Sequence, residues 1–242
     1  MKSLLPLFVI LVASLNVGAS ESLTHGKNFW PWVWQDQVKP TAMASVGDGQ
    51  GFVVGAGSLA TILAHQYDGE MRDQFGRNAR MDAKVSRVGS ILGSGGPGGV
   101  IALTQLFVDR KNGLRSTRAL AFTSLSHYTL ANLIGRERPN GHPLAFPSGH
   151  TSSAFATATS LAYSYGPYVG VPALALATFV GSTRMADDAH WISDTVAGAT
   201  LGIFWARASA MADSAADSEK AGKSLMPVLV PGGALLAYSS DF

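Results

Sequence analysis

Two histidines and an arginine in the second half of the chain have the side chains that phosphoryl chemistry requires. His150 ends the sequence Pro-Ser-Gly-His at 147–150, and Arg184 and His190 follow further along the chain. Cations and N–H groups bind phosphoryl oxygens, one imidazole can attack phosphorus, and a second imidazole can move a proton. The combination predicts a site for phosphoryl transfer.

The Pro-Ser-Gly-His element at 147–150 is followed by hydroxyl residues and alanines, which predicts the start of a helix. Free N–H groups and the positive end of the helix dipole would then face a bound anion. Ser148 adds a hydroxyl, and Gly149 lets the backbone approach the anion closely. A capped helix with a surface histidine is the alternative interpretation.

The second element runs from Arg184 to Asp194. His190 and Asp194 are four residues apart, so on a helix they would share a face. A carboxylate there can accept a hydrogen bond from one imidazole nitrogen and leave the other free as a nucleophile. Arg184 offers a guanidinium to phosphate oxygens. A surface His–Asp pair is the alternative, and Asp187 and Asp188 are interpreted as loop or helix-start residues.

These elements, with Arg138-Pro139, resemble the type 2 phosphatidic acid phosphatase and vanadium haloperoxidase superfamily over about residues 49–212. Its motifs are Lys-x6-Arg-Pro, Pro-Ser-Gly-His and Ser-Arg-x5-His-x3-Asp. The second motif is complete, and the third has Thr183 in place of serine. The first retains Arg138-Pro139, but Ala131 occupies the lysine position.

The resemblance implies that His190 attacks phosphorus to form a phosphohistidine and that Asp194 orients this imidazole. His150 would protonate the leaving oxygen and later activate water, with no metal or other cofactor. Four residues would stabilise the negative charge that develops on the phosphoryl oxygens: Arg138, Ser148, Gly149 and Arg184.

Ala131 removes one cation from the expected phosphate site. A lost charge-assisted contact costs about 1.5–3 kcal/mol, or about one to two decades in rate if the contact forms only in the transition state. Asn132 and Arg136 are the candidates for partial compensation. The remaining histidines match no motif position and are interpreted as structural or exposed: His25, His65, His127 and His142.

The composition fits a domain with a large buried fraction, a membrane setting, or both, because 47% of the 242 residues are hydrophobic and only 14% are charged. A net charge of +2 is too small to indicate a nucleic-acid partner. The chain has no cysteine, which excludes disulfides, thiolate catalysis and Cys-ligated zinc.

Residues 1–19 have the pattern of a signal peptide, with Lys2, a short apolar run and small residues at 17–19. Export to the periplasm or cell envelope is therefore expected, and an uncleaved anchor helix is the alternative. If the long apolar runs crossed a membrane, the basic loop at 109–118 would face outward, against the positive-inside rule. A soluble exported domain is favoured for this reason, with membrane association left open.

The expected fold is all-α, a compact bundle of about six helices with the active site at one end. Residues 20–48 are interpreted as an irregular Trp-rich arm, 49–212 as the helical domain, and 213–242 as a polar linker and tail. Apolar segments around Pro231-Gly232-Gly233 predict a small C-terminal hairpin. The Gly-rich segment 93–99 lacks the Lys-Ser/Thr ending of a phosphate loop and is expected to break or bend a helix.

The leading functional hypothesis is an exported phosphatase for a phosphomonoester or for a lipid phosphate or diphosphate. A vanadate-dependent haloperoxidase is the first alternative, and it is disfavoured because vanadate would also need the cation missing at Ala131. A non-enzymatic envelope protein with a degenerate phosphate site is the second. The intact His150, His190 and Asp194 argue against it.

Overall fold

A computed structural model describes residues 28–78, 81–222, 225–230 and 233–238. The helices are α1 (Phe29–Trp32), α2 (Lys39–Ala44), α3 (Gln50–His65), α4 (Asp68–Met71), α5 (Ala83–Gly93), α6 (Gly96–Val108), α7 (Arg110–Ile134), α8 (Gly149–Tyr165), α9 (Pro167–Ala186) and α10 (Ile192–Gly222). Two π-helical segments, Val33–Val38 and Arg72–Asn78, follow α1 and α4. The predicted all-α class is confirmed, with seven helices longer than ten residues in the described ranges. The proposed signal peptide at 1–19 lies outside them, as does His25.

Helix α8 lies at the centre of the bundle, where it packs against α7, α9 and α10. Gly198 and Gly202 allow α10 to approach α8 closely. A Cβ atom at Gly202 would lie 2.4 Å from the carbonyl oxygen of Ser152, and one at Gly198 would lie 2.6 Å from that of Ser148. Small residues four apart let two helix backbones pack in this way. The close approach fixes the start of α8 against the first turns of α10.

The interior is built from small and hydroxyl side chains, whereas many large apolar side chains face outward. The buried apolar residues of the described part are alanines and Val180, while Phe52 is 79% exposed and Phe107 is 70% exposed. A water-soluble domain normally buries its large apolar side chains. Helices in membranes instead pack through small residues.

Two parts of the bundle have the length and composition of membrane spans within the described residues. Helix α9 is long and apolar enough to cross a bilayer alone. Helices α5 and α6 meet the same criteria as a pair, with a bend of 43° between them. The prediction that the Gly-rich segment 93–99 breaks a helix is confirmed by this bend.

Two segments predicted to be irregular are helical. In the arm, Phe29–Ala44 forms a continuous helical stretch, with Pro40 two residues after the π-helical segment Val33–Val38 and Pro31 in the first turn of the stretch. Proline fits there because a first-turn N–H has no partner inside the helix. The predicted linker at 213–220 is wrong, because α10 runs on to Gly222 through residues compatible with a helix.

The C-terminal hairpin is confirmed. Strand β1 (Leu225–Val230) pairs antiparallel with β2 (Gly233–Tyr238), and Leu225 lies opposite Tyr238.

Candidate active site

The residues predicted from the sequence lie at one end of the bundle. They come from the end of α7, the loop before α8, the first turn of α8, the end of α9 and the loop before α10. Arg72 joins two of these loops, since its Nη2 donates to the carbonyl oxygen of Pro139 at 2.6 Å and its Nε to the Asp188 carboxylate at 3.3 Å. The Asn140 N–H also donates to the carbonyl oxygen of Asp188, at 3.1 Å.

The Pro-Ser-Gly-His element forms the predicted helix start. A cis peptide bond joins Phe146 to Pro147, and Ser148 caps α8 by accepting from the Thr151 N–H at 3.5 Å. The Thr151 hydroxyl also donates to Ser148 Oγ, at 3.0 Å. The Ser148 N–H donates to the carbonyl oxygen of Asp194 at 2.9 Å, so this turn is tied to the start of α10.

His190 is buried, and the backbone sets its tautomer. Its Nδ1 lies 2.7 Å from the carbonyl oxygen of Ala145. A carbonyl oxygen only accepts, so Nδ1 carries the hydrogen and Nε2 of the neutral ring keeps its lone pair. The imidazole is therefore arranged as a nucleophile.

The direct hydrogen bond expected between Asp194 and His190 is not present in the structure. Helix α10 begins at Ile192, so the two residues do not share a helix face, and Asp194 Oδ2 is 3.7 Å from His190 Nδ1. That distance is too long for a hydrogen bond. Asp194 Oδ2 instead accepts from the Trp191 N–H at 2.8 Å, as a side chain in the third helical position does in a capping box.

Arg136 is held by two carboxylates. Its Nη1 donates to Asp194 Oδ1 and to Ser193 Oγ, both at 2.7 Å, and its Nη2 donates to Asp68 Oδ2 at 2.6 Å. Asn132 is exposed and donates to the carbonyl oxygen of Tyr128. The two residues suggested as partial substitutes for the motif lysine are therefore hydrogen-bonded to other groups in this structure.

Asp68 is a buried carboxylate that sequence reasoning missed. Both of its oxygens accept from Ser193, Oδ1 from the N–H at 3.0 Å and Oδ2 from the hydroxyl at 2.9 Å. His65 Nδ1 lies 2.7 Å from Oδ2. Burial raises the pKa of Asp68, but the hydrogen bonds from Arg136 and Ser193 outweigh it and leave the pKa lowered. No motif or spacing marks this residue, which lies 125 positions from Ser193.

Arg184 is held in place by the end of its own helix and by α5. Its Nε and Nη2 donate to Thr183 Oγ1 at 3.2 and 3.1 Å, and Nη2 also donates to the carbonyl oxygen of Ser86 at 3.0 Å. Asp187 lies 3.0 Å from the same nitrogen. Thr183 keeps the hydroxyl of the serine it replaces, and that hydroxyl supports the guanidinium.

The site is rich in positive charge. Burial, followed by the charge of Arg184, lowers the pKa of His150 to about 4, so its ring is neutral at pH 7. Within the described part of the chain, Arg138 Nε is buried and lacks a hydrogen-bond partner. An unpaired buried donor among cationic side chains is suited to an anion.

Comparisons with known proteins bear on the family and the fold of the chain. Residues 113–215 match the model of the PAP2 superfamily. Lipid A 1-phosphatase of Porphyromonas gingivalis is 42% identical over 74 residues, which span 29% of this chain but only 17% of that protein.

Two solved structures are similar to the chain. The crystal structure of Aquifex aeolicus LpxE has a TM-score of 0.55 and 21% identity, and the match covers 59% of this chain and 93% of that one. A transmembrane PAP2-type phosphatidylglycerolphosphate phosphatase from Bacillus subtilis has a TM-score of 0.40 and 18% identity, over 89% of this chain and 94% of that one. The first likeness supports the helical fold, and residues 113–215 carry the similarity to the PAP2 superfamily.

Proposed function

We propose that the protein is a phosphatase that releases phosphate from a lipid-linked ester through a phosphohistidine at His190. The observation that carries the proposal is the hydrogen bond from His190 Nδ1 to Ala145, which places the hydrogen of the neutral ring on Nδ1 and leaves the Nε2 lone pair available as the nucleophile. The matching segment of a relative named lipid A 1-phosphatase supports phosphatase chemistry on a lipid.

The first step joins His190 Nε2 to phosphorus and breaks the bond from phosphorus to the leaving oxygen. His150 supplies the proton that the leaving oxygen needs. Its pKa is low in the free protein, and the negative charge of a bound phosphate raises it by offsetting the neighbouring cations. Substrate binding therefore prepares His150 as the acid.

In the second step, the neutral His150 takes a proton from water, whose oxygen attacks phosphorus. The bond from Nε2 to phosphorus breaks, and inorganic phosphate leaves. His150 therefore acts as the acid in the first step and as the base in the second, because the proton moves in opposite directions in the two steps.

Donors for the phosphoryl oxygens come from three directions. Arg138 and Arg184 bring guanidinium groups, and the first turn of α8 brings the Gly149 N–H and the positive end of the helix dipole. The Ser148 hydroxyl accepts from Thr151 and keeps its own proton for the substrate. These fixed donors stabilise the charge that develops at phosphorus.

The outward-facing apolar side chains support a membrane setting, with α9 and the α5–α6 pair as the proposed spans. Leu133 and Ile134 are exposed in the last turn of α7, directly before the loop that carries Arg138. A lipid tail would stay in the apolar phase there while its phosphate reaches His190. This proposal replaces the soluble domain favoured from the sequence. Export remains a prediction that rests on residues 1–19.

The test is phosphate release by the purified protein in detergent from a long-chain lipid phosphomonoester, a lipid diphosphate and p-nitrophenyl phosphate. The variants are His190→Ala and, as a matched control on an exposed loop histidine, His142→Ala. We expect His190→Ala to lose activity and His142→Ala to keep it. Equal release by the wild type and His190→Ala would overturn the proposal. A preference for p-nitrophenyl phosphate would overturn its lipid part.

A further inference from the structure

We propose that His127 is part of the phosphate site and supplies the hydrogen-bond donor that the missing motif lysine would have given. This inference rests on the proposed function. The sequence pattern gave no reason to assign His127 a role, since it stands outside all three motifs.

The first observation is its position on α7. His127 and Ala131 are one helical turn apart, so they lie on the same face. Ala131 is 2% exposed, and this face is therefore packed against the rest of the bundle. Side chains on a helix lean toward its start, so a lysine at 131 would extend over the place that the His127 ring occupies.

The second observation is a contact with the phosphate-binding turn. A Cβ atom at Gly149 would lie 2.6 Å from His127 Nε2 and 2.8 Å from its Cε1. Real Cβ atoms essentially never come so close to another heavy atom, so the imidazole takes the space that a side chain at 149 would need. His127 thus borders the residue whose N–H we assign to the phosphate.

The third observation is an unpaired polar atom. His127 Nδ1 is buried and has no hydrogen-bond partner in the described part of the chain. The ring is within electrostatic range of His190 and Arg138, and it acts in turn on His150. A buried polar atom without a partner is costly. A hydrogen bond from His127 Nδ1 to a bound phosphate, made directly or through a water molecule, would relieve that cost.

The other ring nitrogen of His127 is hydrogen-bonded to the Pro147 backbone, so Nδ1 offers a hydrogen to phosphate only in the protonated ring, which the negative charge of a bound phosphate favours. The neutral ring has one N–H donor and the protonated ring has two. Loss of a single donor to a phosphoryl oxygen costs about tenfold to a hundredfold in rate if the contact tightens in the transition state. An apolar side chain of similar size would fill the space but supply no donor.

The experiment compares His127→Gln with His127→Leu, because glutamine keeps an N–H donor and leucine does not. We expect kcat/KM on the lipid phosphomonoester to fall about tenfold to a hundredfold in His127→Leu and distinctly less in His127→Gln, with the same Tm for both. Wild-type activity in His127→Leu, or equal losses in both variants, would overturn the inference.

A rescue variant tests the link to the lysine position. In His127→Ala the removed ring leaves room for a longer side chain at 131, and we expect adding Ala131→Lys to recover at least about tenfold in kcat/KM. Adding Ala131→Met, which fills the same space without charge, should recover nothing. Equal recovery by methionine, or none by lysine with Tm preserved, would contradict the role.

The two proposals fail in different ways. If the wild type and His190→Ala release phosphate equally, the proposed function is wrong. If only His190→Ala is inactive and His127→Leu matches the wild type, the phosphatase assignment stands and the role of His127 alone is wrong.

Discussion

Replacing Arg136 with alanine should lower the stability of the protein far more than the partly exposed position of this side chain suggests. The Arg136 side chain is 23% exposed, but the carboxylates that it joins are 0% exposed at Asp194 and 8% exposed at Asp68. Three charge-assisted hydrogen bonds disappear in Arg136→Ala, at 2.6 to 2.7 Å. Two buried negative charges then remain without their cation.

Breaking a buried ion pair by removing one partner costs about 3–5 kcal/mol. We take the lower end, about 3 kcal/mol, because water can reach part of the Arg136 site. In a chain of this size, 1 kcal/mol shifts Tm by about 2–4 °C. The expected fall in Tm is therefore about 6–12 °C.

The assay is thermal unfolding in detergent, with Lys111→Ala as the control. Lys111 pairs with Asp217, and both side chains are more than half exposed, so this pair contributes at most about 1 kcal/mol. In the double variant Asp68→Asn/Arg136→Ala, the loss in free energy of unfolding should be smaller than the sum of the two single losses by about 0.5–3 kcal/mol. The reason is that Asp68→Asn removes one of the charges left unpaired by Arg136→Ala. If Arg136→Ala and Lys111→Ala lower Tm equally, Arg136 does not hold these carboxylates.

Further expectations concern the turn, the helix packing, pH and inhibition. Gly149→Ala should lose at least about tenfold in kcat/KM, because its Cβ would collide with the imidazole beside it; unchanged kinetics would contradict that contact. Gly202→Leu should lower Tm sharply, whereas Gly51→Ala, which has open space around it, should hold or raise Tm. The Asp68 pKa is below its ordinary 3.8, so its stabilisation is present above that pH and is lost as the pH falls through the folded pKa. Below pH 3.8, Tm should therefore depend less steeply on pH in Asp68→Asn than in the wild type. The same slope in both proteins would contradict this expectation. Orthovanadate should inhibit phosphate release, and oxidation of bromide when hydrogen peroxide is supplied with vanadate would indicate the haloperoxidase alternative instead.

The sequence predicted the parts of the site whose geometry is local. A proline, a serine cap and a run of helix-compatible residues mark the start of α8, and the structure has that helix with Ser148 as its cap. The hairpin and the break at 93–99 also follow from turn residues that act on their immediate neighbours. In each case the physical cause lies within a few residues of the effect.

The rest depends on contacts between distant segments. The spacing of His190 and Asp194 suggested a shared helix. Helix α10 instead begins two residues after His190, and the Asp194 side chain caps its start. The orienting acceptor for His190 is a backbone carbonyl 45 positions away, which no side-chain pattern can reveal. Asp68 similarly gains its role only when the fold brings α4 against Ser193.

The most direct test of the account is to trap the phosphorylated intermediate. The purified protein is mixed with the lipid phosphomonoester, quenched in alkali because a phosphorus–nitrogen bond is labile in acid, and digested for mass spectrometry. We predict phosphate on the peptide that contains His190 in the wild type and none in His190→Ala. Phosphate on another residue, or steady release of phosphate by His190→Ala, would contradict the account.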